Sequence, residues 1–513
     1  MAVFRDFFGG IASHLQRPVV AICLHLWTIF LFSKQANQDL ALDHEMVSII
    51  LKQTSIFPGT YFIPFNMPKT SIHIRLTRLS LGIWIPVLLC WSALLGCKTP
   101  LMGQRLVIPP FQGHTTDTSL RVWMMVKGVQ ELRLSLGGRM QTISTANKVG
   151  WKKQVPVEAD WHGLSADSVY TLSIWLDGVE TACGKAFRTL SKPSNTPEDL
   201  SFTLGSCHFI GTGPFRLLRP GHYTRIFKPL EAVKADFNLW LGDNVYLLTN
   251  EWNSPSRTYR KYTKVRQNGP TQALLHSKPQ YAITDDHDFG PNNSDGAFFN
   301  KDMTSKCFAD FWPNPDVPDG LKGNVGKFSR GDCDFFLLDG RYHRLASGRV
   351  QMYGPEQMDW LRRELQESKA TFKFVVGGSQ SLSEVNQGET WTDYQEQKDF
   401  LEFLRVNRIP GVVFLSGDRH FTEMMRLEQS GMYPLHELTC SPLTSMLRRK
   451  PLKKSDPEHI NPLRVDGTLL VDHNFGQVKI QGDGPQRSCT FIIHDDRGRE
   501  VWSRTFLASE LQF

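Results

Sequence analysis

The sequence predicts an α+β protein in which a small antiparallel β-sandwich precedes a larger layered domain of alternating strands and helices. Three observations lead there. Residues 104–192 carry short apolar stretches alternating at period two, a polar proline-containing linker follows, and beyond residue 200 short apolar strands are spaced by longer amphipathic stretches. At 513 residues the chain exceeds one compact core, because domains run to roughly 100–200 residues. Aromatics at 11% and hydrophobics at 41% exclude a disordered or fibrous chain. The formal charge of +7 favours anionic partners such as phosphoesters or a lipid surface without bearing on fold.

Two apolar stretches precede the sandwich. Val19–Phe32 is shorter than the ~20 residues a membrane span needs. Met67 opens a segment with Lys69, Arg75 and Arg78, followed by an uncharged run from Leu79 to Gly96 and then Cys97. A basic region, an apolar region and a small residue at the break form a secretory signal. Its Gly-Cys end resembles a bacterial lipoprotein signal over residues 67–97, with Cys97 acylated, although Leu95 departs from the usual small residue. An uncleaved membrane anchor is the alternative. Residues 1–66 then read as an upstream extension, or as a membrane-associated leader. The expectation is an exported protein at the periplasm or outer cell surface, held to the membrane through Cys97. Export would permit disulfides among Cys183, Cys307, Cys333, Cys440 and Cys489, with Cys307–Cys333 one pairing to test.

In the sandwich the expected strands are Leu120–Val126, Glu131–Leu136, Val155–Ala159, Tyr170–Trp175 and Lys185–Thr189, separated by turns such as Gly137-Gly138 and Asp177-Gly178. Spacing of this kind suits an Ig- or fibronectin-like module with a structural role. Ser191–Glu198 marks the boundary. The second domain, residues 200–513, is expected to place strands at Phe202–Leu204, Phe237–Leu241, Tyr281–Thr284, Phe335–Leu338, Phe372–Val376 and Val412–Leu415. Its clearest helix is Pro355–Ser368, with Met358, Leu361 and Leu365 on one face. The tail from Gly467 to Phe506 returns to short strands that close the same domain.

Reactive residues collect where these strands stop. One ends in Gly-Ser-Cys207, a second in Gly-Asp243-Asn-Val-Tyr246, a third in Asp285-Asp286-His287-Asp288, and a fourth in Gly-Asp418-Arg-His420. Ligands bind beyond strand ends in open α/β sheets. Carboxylates, imidazole, phenol and thiol crowd together only where positive charge offsets their repulsion and desolvation. Tyr and Cys favour iron or a similar metal, whereas carboxylates suit Ca²⁺ or Mg²⁺.

Taken in order, Gly-Ser-Cys207, Gly-Asp243-Asn-Val-Tyr246, Asp285-Asp286-His287-Asp288, Asn292 and Gly-Asp418-Arg-His420 resemble the alkaline phosphatase D (PhoD-like) family, a resemblance covering roughly residues 104–513. It implies a calcineurin-like, layered αββα metallophosphatase domain after the sandwich, and hydrolysis of phosphodiesters or phosphomonoesters. It further implies that Asp243 bridges two metals, with Cys207, Tyr246 and His420 on an Fe(III) site. Asp286 and Asp418, with Asn292 as an extra ligand, take a Ca(II) site, for which Zn, Mn or Mg could substitute. His287 would then protonate the leaving oxygen while a metal-bound hydroxide attacks phosphorus.

Asp285 and Asp288 read either as supports for these ligands or as solvated carboxylates, and His208 has no assignment. Arg257 and Arg260 suit a solvated helix face better than a phosphate grip. The basic run Arg448–Lys454 reads as an exposed loop, with contact to anionic lipid the alternative. No aromatic-and-basic stripe points to nucleic acid, and a monomer is expected. The competing functions are a phospholipase- or nuclease-type phosphodiesterase and a non-catalytic surface-binding lipoprotein.

Overall fold

The computed structural model describes residues 105–181, 184–193, 197–211, 224–385, 388–447 and 457–513. The expected signal, Cys97, Cys183 and the basic run 448–454 lie outside them. Among the described residues no helix is long and apolar enough to cross a membrane.

Eight strands come first: β1 (Leu106–Thr115), β2 (Ser119–Lys127), β3 (Glu131–Leu136), β4 (Arg139–Ser144), β5 (Gln154–His162), β6 (Val169–Leu176), β7 (Val179–Thr181) and β8 (Ala186–Arg188). They form two antiparallel sheets, β1-β2-β5 and β4-β3-β6-β7, with β8 also paired to β6. Alternation places Val122, Met124, Val157 and Ala159 of one sheet against Leu132, Leu134, Leu172 and Ile174 of the other in a single apolar cluster. β1, β4 and β7 were not legible in the sequence. β1 contains Pro109-Pro110 and Gly113 and pairs with register shifts, so its alternation is broken.

The larger part follows with β9 (Leu200–Gly205), α1 (Phe227–Ala232), β10 (Phe237–Leu241), α2 (Pro255–Arg266), α3 (Gly269–Ser277), β11 (Gln280–Ile283), α4 (Asp286–Phe289) and α5 (Lys301–Phe311). Then come β12 (Gly326–Arg330), β13 (Cys333–Leu337), α6 (Pro355–Glu367), β14 (Phe372–Val376), α7 (Gln395–Val406), β15 (Val412–Ser416), β16 (Glu423–Leu427) and β17 (Leu435–Thr439). The chain closes with β18 (Asn474–Gln481), β19 (Ser488–Asp495) and β20 (Glu500–Leu507). One six-stranded sheet runs β11-β10-β9-β18-β19-β20, the other β12-β13-β14-β15-β17-β16. β9, β10 and β11 are mutually parallel, as are β13, β14, β15 and β17, so each group ends along one edge of its sheet. Of the tail strands, β18 pairs antiparallel with β9, β19 with β18 and β20 with β19, which extends the first sheet.

Aromatic side chains join the two sheets. The Phe335 ring meets Phe202 and Phe237 edge-on at 5.2 and 5.3 Å and stacks on Phe374 at 5.0 Å. Alternate residues of the same strands point outward, so Phe336 packs on Trp360 of α6. The first sheet turns Trp240 and Ala282 toward Phe227, Tyr262, Leu274 and Phe311 of its own helices. Helices therefore cover both outer faces of a sheet-on-sheet core.

The helix-side cluster also contains Ile108 and Phe111 of β1 and Trp123 and Met125 of β2. The sheet β1-β2-β5 thus serves two cores, one facing its partner sheet and one facing the helices. Trp123 Nε1 donates to the carbonyl of Asp310 at 2.8 Å, and the buried Arg266 guanidinium lies 4.3 Å from the Trp312 ring centre.

The Cys307–Cys333 pairing does not form. Both thiols are free and buried, Cys307 in the helix-side cluster and Cys333 between the sheets. The five described cysteines are all free, so none of them staples the fold.

Replacing Phe335 by alanine removes the ring that touches both sheets and should cost about 3–5 kcal/mol of stability. Urea unfolding followed by far-ultraviolet circular dichroism measures this, and a loss under about 1 kcal/mol would show that the core lies elsewhere.

Candidate metal centre

Every reactive segment named from the sequence lies beyond the end of a parallel strand. Cys207 follows β9, Asp243 and Tyr246 follow β10, Asp286 and His287 open α4 after β11, and Asp418 and His420 follow β15. The first three strands belong to one sheet and β15 to the other, so the site forms where the two sheet edges meet.

The turns that deliver these side chains are unusual. Cys207, Asp243, Asp418 and His420 adopt positive φ of 59, 52, 64 and 59°, a left-handed region that costs a non-glycine residue about 1–3 kcal/mol. The chain is held there by bonds across strand ends. His208 N donates to the carbonyl of Asp243 at 2.8 Å, and Cys207 N donates to that of Gly242 at 3.3 Å. Gly242 has φ +90°, and a Cβ there would stand 2.6 Å from the Cβ of Asp285. Only glycine allows the β10 and β11 turns to approach this closely.

Three groups bring possible ligand atoms within 4.8 Å of one another: Cys207 with Asp243 and His420, Asp243 with Asp286 and His287, and Asp285 with Asp286 and Asp418. Asp243 belongs to two of them and Asp286 to two, so the groups form a continuous chain. Cys207 Sγ lies 3.6 Å from Asp243 Oδ2, and Tyr246 Oη lies 3.1 Å from His420 Nε2. His287 stacks on the Tyr246 ring at 4.1 Å, and its Nδ1 is buried without a hydrogen-bond partner. Asn292 is exposed at the rim and donates through Nδ2 to Asn293 Oδ1 at 2.7 Å, while Asn293 N donates to Asp286 Oδ2 at 2.7 Å.

The electrostatics favour cations. Cys207, Asp243 and Asp286 are at most 2% exposed. Burial, reinforced by Asp286 and other neighbouring carboxylates, pushes Asp243 far above the ordinary carboxylate range. Burial and then Asp243 likewise raise the Cys207 thiol and the Tyr246 phenol. A thiol, a phenol and several acids packed at these distances are stable in ionised form only beside positive charge. The donor set, of soft sulfur, phenol oxygen, imidazole and carboxylate, therefore fits metal ions, with the sulfur and phenol at one end and carboxylates at the other.

Further residues support the ligands. Ser441 Oγ donates to Cys207 Sγ at 3.1 Å and accepts from His420 N at 3.0 Å, and Ser445 Oγ sits 3.1 Å from His420 Nε2. Arg419 pairs with Asp418 at 3.1 Å and also with Glu458. These serines follow β17, whose buried His436 and Glu437 gave it no apolar signal in the sequence. Neither Asp285 nor Asp288 is a solvated carboxylate. Asp288 is fully buried and accepts from the backbone N–H groups of Asn244, Val245 and Asp285, and Asp285 pairs with Arg341 at 2.6 Å. His208 is buried, its Nδ1 3.2 Å from the Asn244 carbonyl and its Nε2 3.2 Å from Thr271 Oγ1, which ties the Cys207 turn to α3. Arg257 and Arg260 are exposed on α2.

The fold has known relatives. The solved structure of PhoD superposes with a TM-score of 0.64 at 16% identity, covering 80% of this chain and 91% of that one. A purple acid phosphatase from yellow lupin (Lupinus luteus) seeds superposes with a TM-score of 0.53 at 13% identity, covering 78% and 74%. No curated protein matches the chain by sequence. The PhoD-like phosphatase model matches residues 206–487, from the residue before Cys207 to the residue before β19. With more than half of its length matched and these strand-end residues inside the match, the chain belongs to the PhoD-like phosphatase family of metal-dependent phosphoric ester hydrolases.

Proposed function

We propose that the chain is an exported phosphodiesterase or phosphomonoesterase whose two cations are held by Cys207, Asp243, Tyr246 and His420 on one side and by Asp243, Asp286 and Asp418 on the other. The observation that carries this reading is the run of three ligand groups linked through Asp243 and Asp286 at the meeting of two sheet edges. Asn292 would add an amide oxygen to the carboxylate side from the rim. The sulfur and phenol donors suit Fe(III) and the carboxylate end suits Ca(II). Bound cations would supply Lewis acidity toward a phosphoryl oxygen and lower the pKa of coordinated water toward neutrality.

The protein's own residues position and protonate. The left-handed turns at Cys207, Asp243, Asp418 and His420 fix the donors before any ligand arrives. Ser441 and Ser445 orient the thiol and imidazole from behind. His287, stacked on Tyr246 and next to Asp286, is placed to give its proton to the leaving oxygen. Its membership of the Asp243–Asp286 group also allows it to serve as a ligand, and dependence on the leaving group separates the two roles. Export and attachment at Cys97 rest on the lipoprotein-like signal at residues 67–97. The two-sheet module fits an Ig- or fibronectin-like support that braces the helix side of the catalytic part through Trp123 and Phe111. Monomeric behaviour is part of the same reading.

Asp243→Asn should abolish hydrolysis of bis(4-nitrophenyl) phosphate by the full chain and lower bound metal, measured by elemental analysis. Activity retained in that variant would remove the bridging role. His287→Gln should slow an alkyl phosphodiester about 10²–10⁴-fold while sparing a 4-nitrophenyl ester, whose leaving group needs no proton. Equal losses on both, with metal lost as well, would instead make His287 a ligand. In cells fed labelled palmitate the chain should carry label, and Cys97→Ser should not; label unchanged in that variant would rule out anchoring at this cysteine.

A further inference from the structure

The carboxylate end of the centre contains a fixed positive charge that is not supplied by an ion. Arg341 follows β13 in the second sheet, is fully buried, and donates Nε to Asp285 Oδ1 at 2.6 Å. Asp285 follows β11 in the first sheet and is 2% exposed, so this ion pair crosses between the sheets beneath the site. Both partners are immobilised. Arg341 N donates to Asp339 Oδ1 at 2.9 Å, and Asp339 N donates to Gln357 Oε1 at 2.9 Å. A Cβ at Gly378 would fall 2.5 Å from Asp285 Cγ, so the carboxyl group lies directly against the backbone after β14.

The pair is incompletely satisfied on both sides. Asp285 Oδ2 is buried with no hydrogen-bond partner, and Asp285 belongs to the ligand group with Asp286 and Asp418. Nη1 and Nη2 of Arg341 are likewise buried without hydrogen-bond partners, and Glu389 lies 3.8 Å from Nη1. Unmade hydrogen bonds in a buried ion pair are costly, so the pair is poor as a purely stabilising device. Its position gives it another use. Arg341 neutralises one carboxylate of the three that face a cation at this end, whereas the Cys207–Asp243–Tyr246 end has no such guanidinium contact among the described residues.

We infer that Arg341 is a positioning residue that sets the affinity of the carboxylate-end metal site, by cancelling the charge of Asp285 and holding its free oxygen at the edge of the ligand group. This rests on the proposed metal centre. With Arg341 in place the Asp286–Asp418 end binds a divalent ion more weakly than its carboxylates alone would allow, which leaves that ion exchangeable while the ion at the sulfur end stays put.

The test uses the full chain, stripped of metal with a chelator and titrated with Mn²⁺ alone, with free ion read by electron paramagnetic resonance. Arg341→Gln should tighten the weaker Mn²⁺ site on the order of tenfold or more, because one buried positive charge has been removed. Asp285→Asn should weaken it by a similar factor, since the guanidinium charge is then unopposed. The double variant should return to within about threefold of wild type, because the two opposite changes in charge offset one another at the site. Arg341→Lys keeps the charge, loses the guanidinium fork, and should stay near wild type.

Weaker binding in both single variants and in the double would overturn the inference and leave Arg341 a structural residue. Thermal melts of the metal-free proteins identify any variant that does not fold. Should Arg341→Gln be one, Asp285→Asn decides alone, and an unchanged or tighter affinity there overturns the inference. A wild type that binds no Mn²⁺, nor any other cation by elemental analysis, would instead remove the metal centre itself.

Discussion

Crowding of ionisable groups at the meeting of two sheet edges limits what every other part of the fold can do. Cys207, Asp243, Asp286 and Asp285 are buried there, with Tyr246 nearly so and Asp418 beside them. Left alone, such groups would repel one another, and burial raises Asp243, Cys207 and Tyr246. Core packing elsewhere helps to offset the cost of this arrangement. The aromatic contacts between the sheets and the clusters under the helices hold the strand ends whatever the loops beyond them prefer.

That division of labour explains the layered design. Parallel strands all finish on one edge, so each can contribute its own short turn to a common site. The turns are strained, with four left-handed non-glycine residues, yet they hang from strands whose hydrogen bonds and packing are regular. The helices that return the chain between parallel strands cover the outer faces and keep water from the core. The β1-β2-β5 sheet adds a brace on one of these faces, because its Trp123 and Phe111 complete a cluster that the helices alone leave open.

Charge is handled asymmetrically within the site. Arg341 and Arg419 contact carboxylates at one end, Asp285 and Asp418 respectively. Around the thiol and the His420 imidazole at the other end, the neighbours are serine hydroxyls, Ser441 and Ser445. Hydroxyls orient a donor without neutralising it, whereas guanidinium groups do both. The two ends therefore differ in how their donors are held and compensated, alongside the split between sulfur and phenol donors on one side and carboxylates on the other.

Local pattern along the chain already marks strands of both sheets and the residue types that end them. Phe237–Leu241 and Phe372–Val376 are short apolar runs bounded by turn residues, and Pro355–Glu367 repeats its apolar positions at helical spacing, so local pattern was enough. Cys207, Asp243, Tyr246, Asp286, His287, Asp418 and His420 each sit within a few residues of a strand, so local pattern marks them as strand-end residues. The contacts that complete the site join partners distant in the chain. Asp285 is separated from Arg341 by 56 residues, and Cys207 from Ser441 by 234, so no local pattern connects them. The same reason undid the Cys307–Cys333 pairing, since sequence spacing says nothing of which core a thiol enters. Side-chain periodicity is a one-dimensional signal set by backbone geometry, whereas a buried charge is matched in three dimensions by whatever the fold brings beside it.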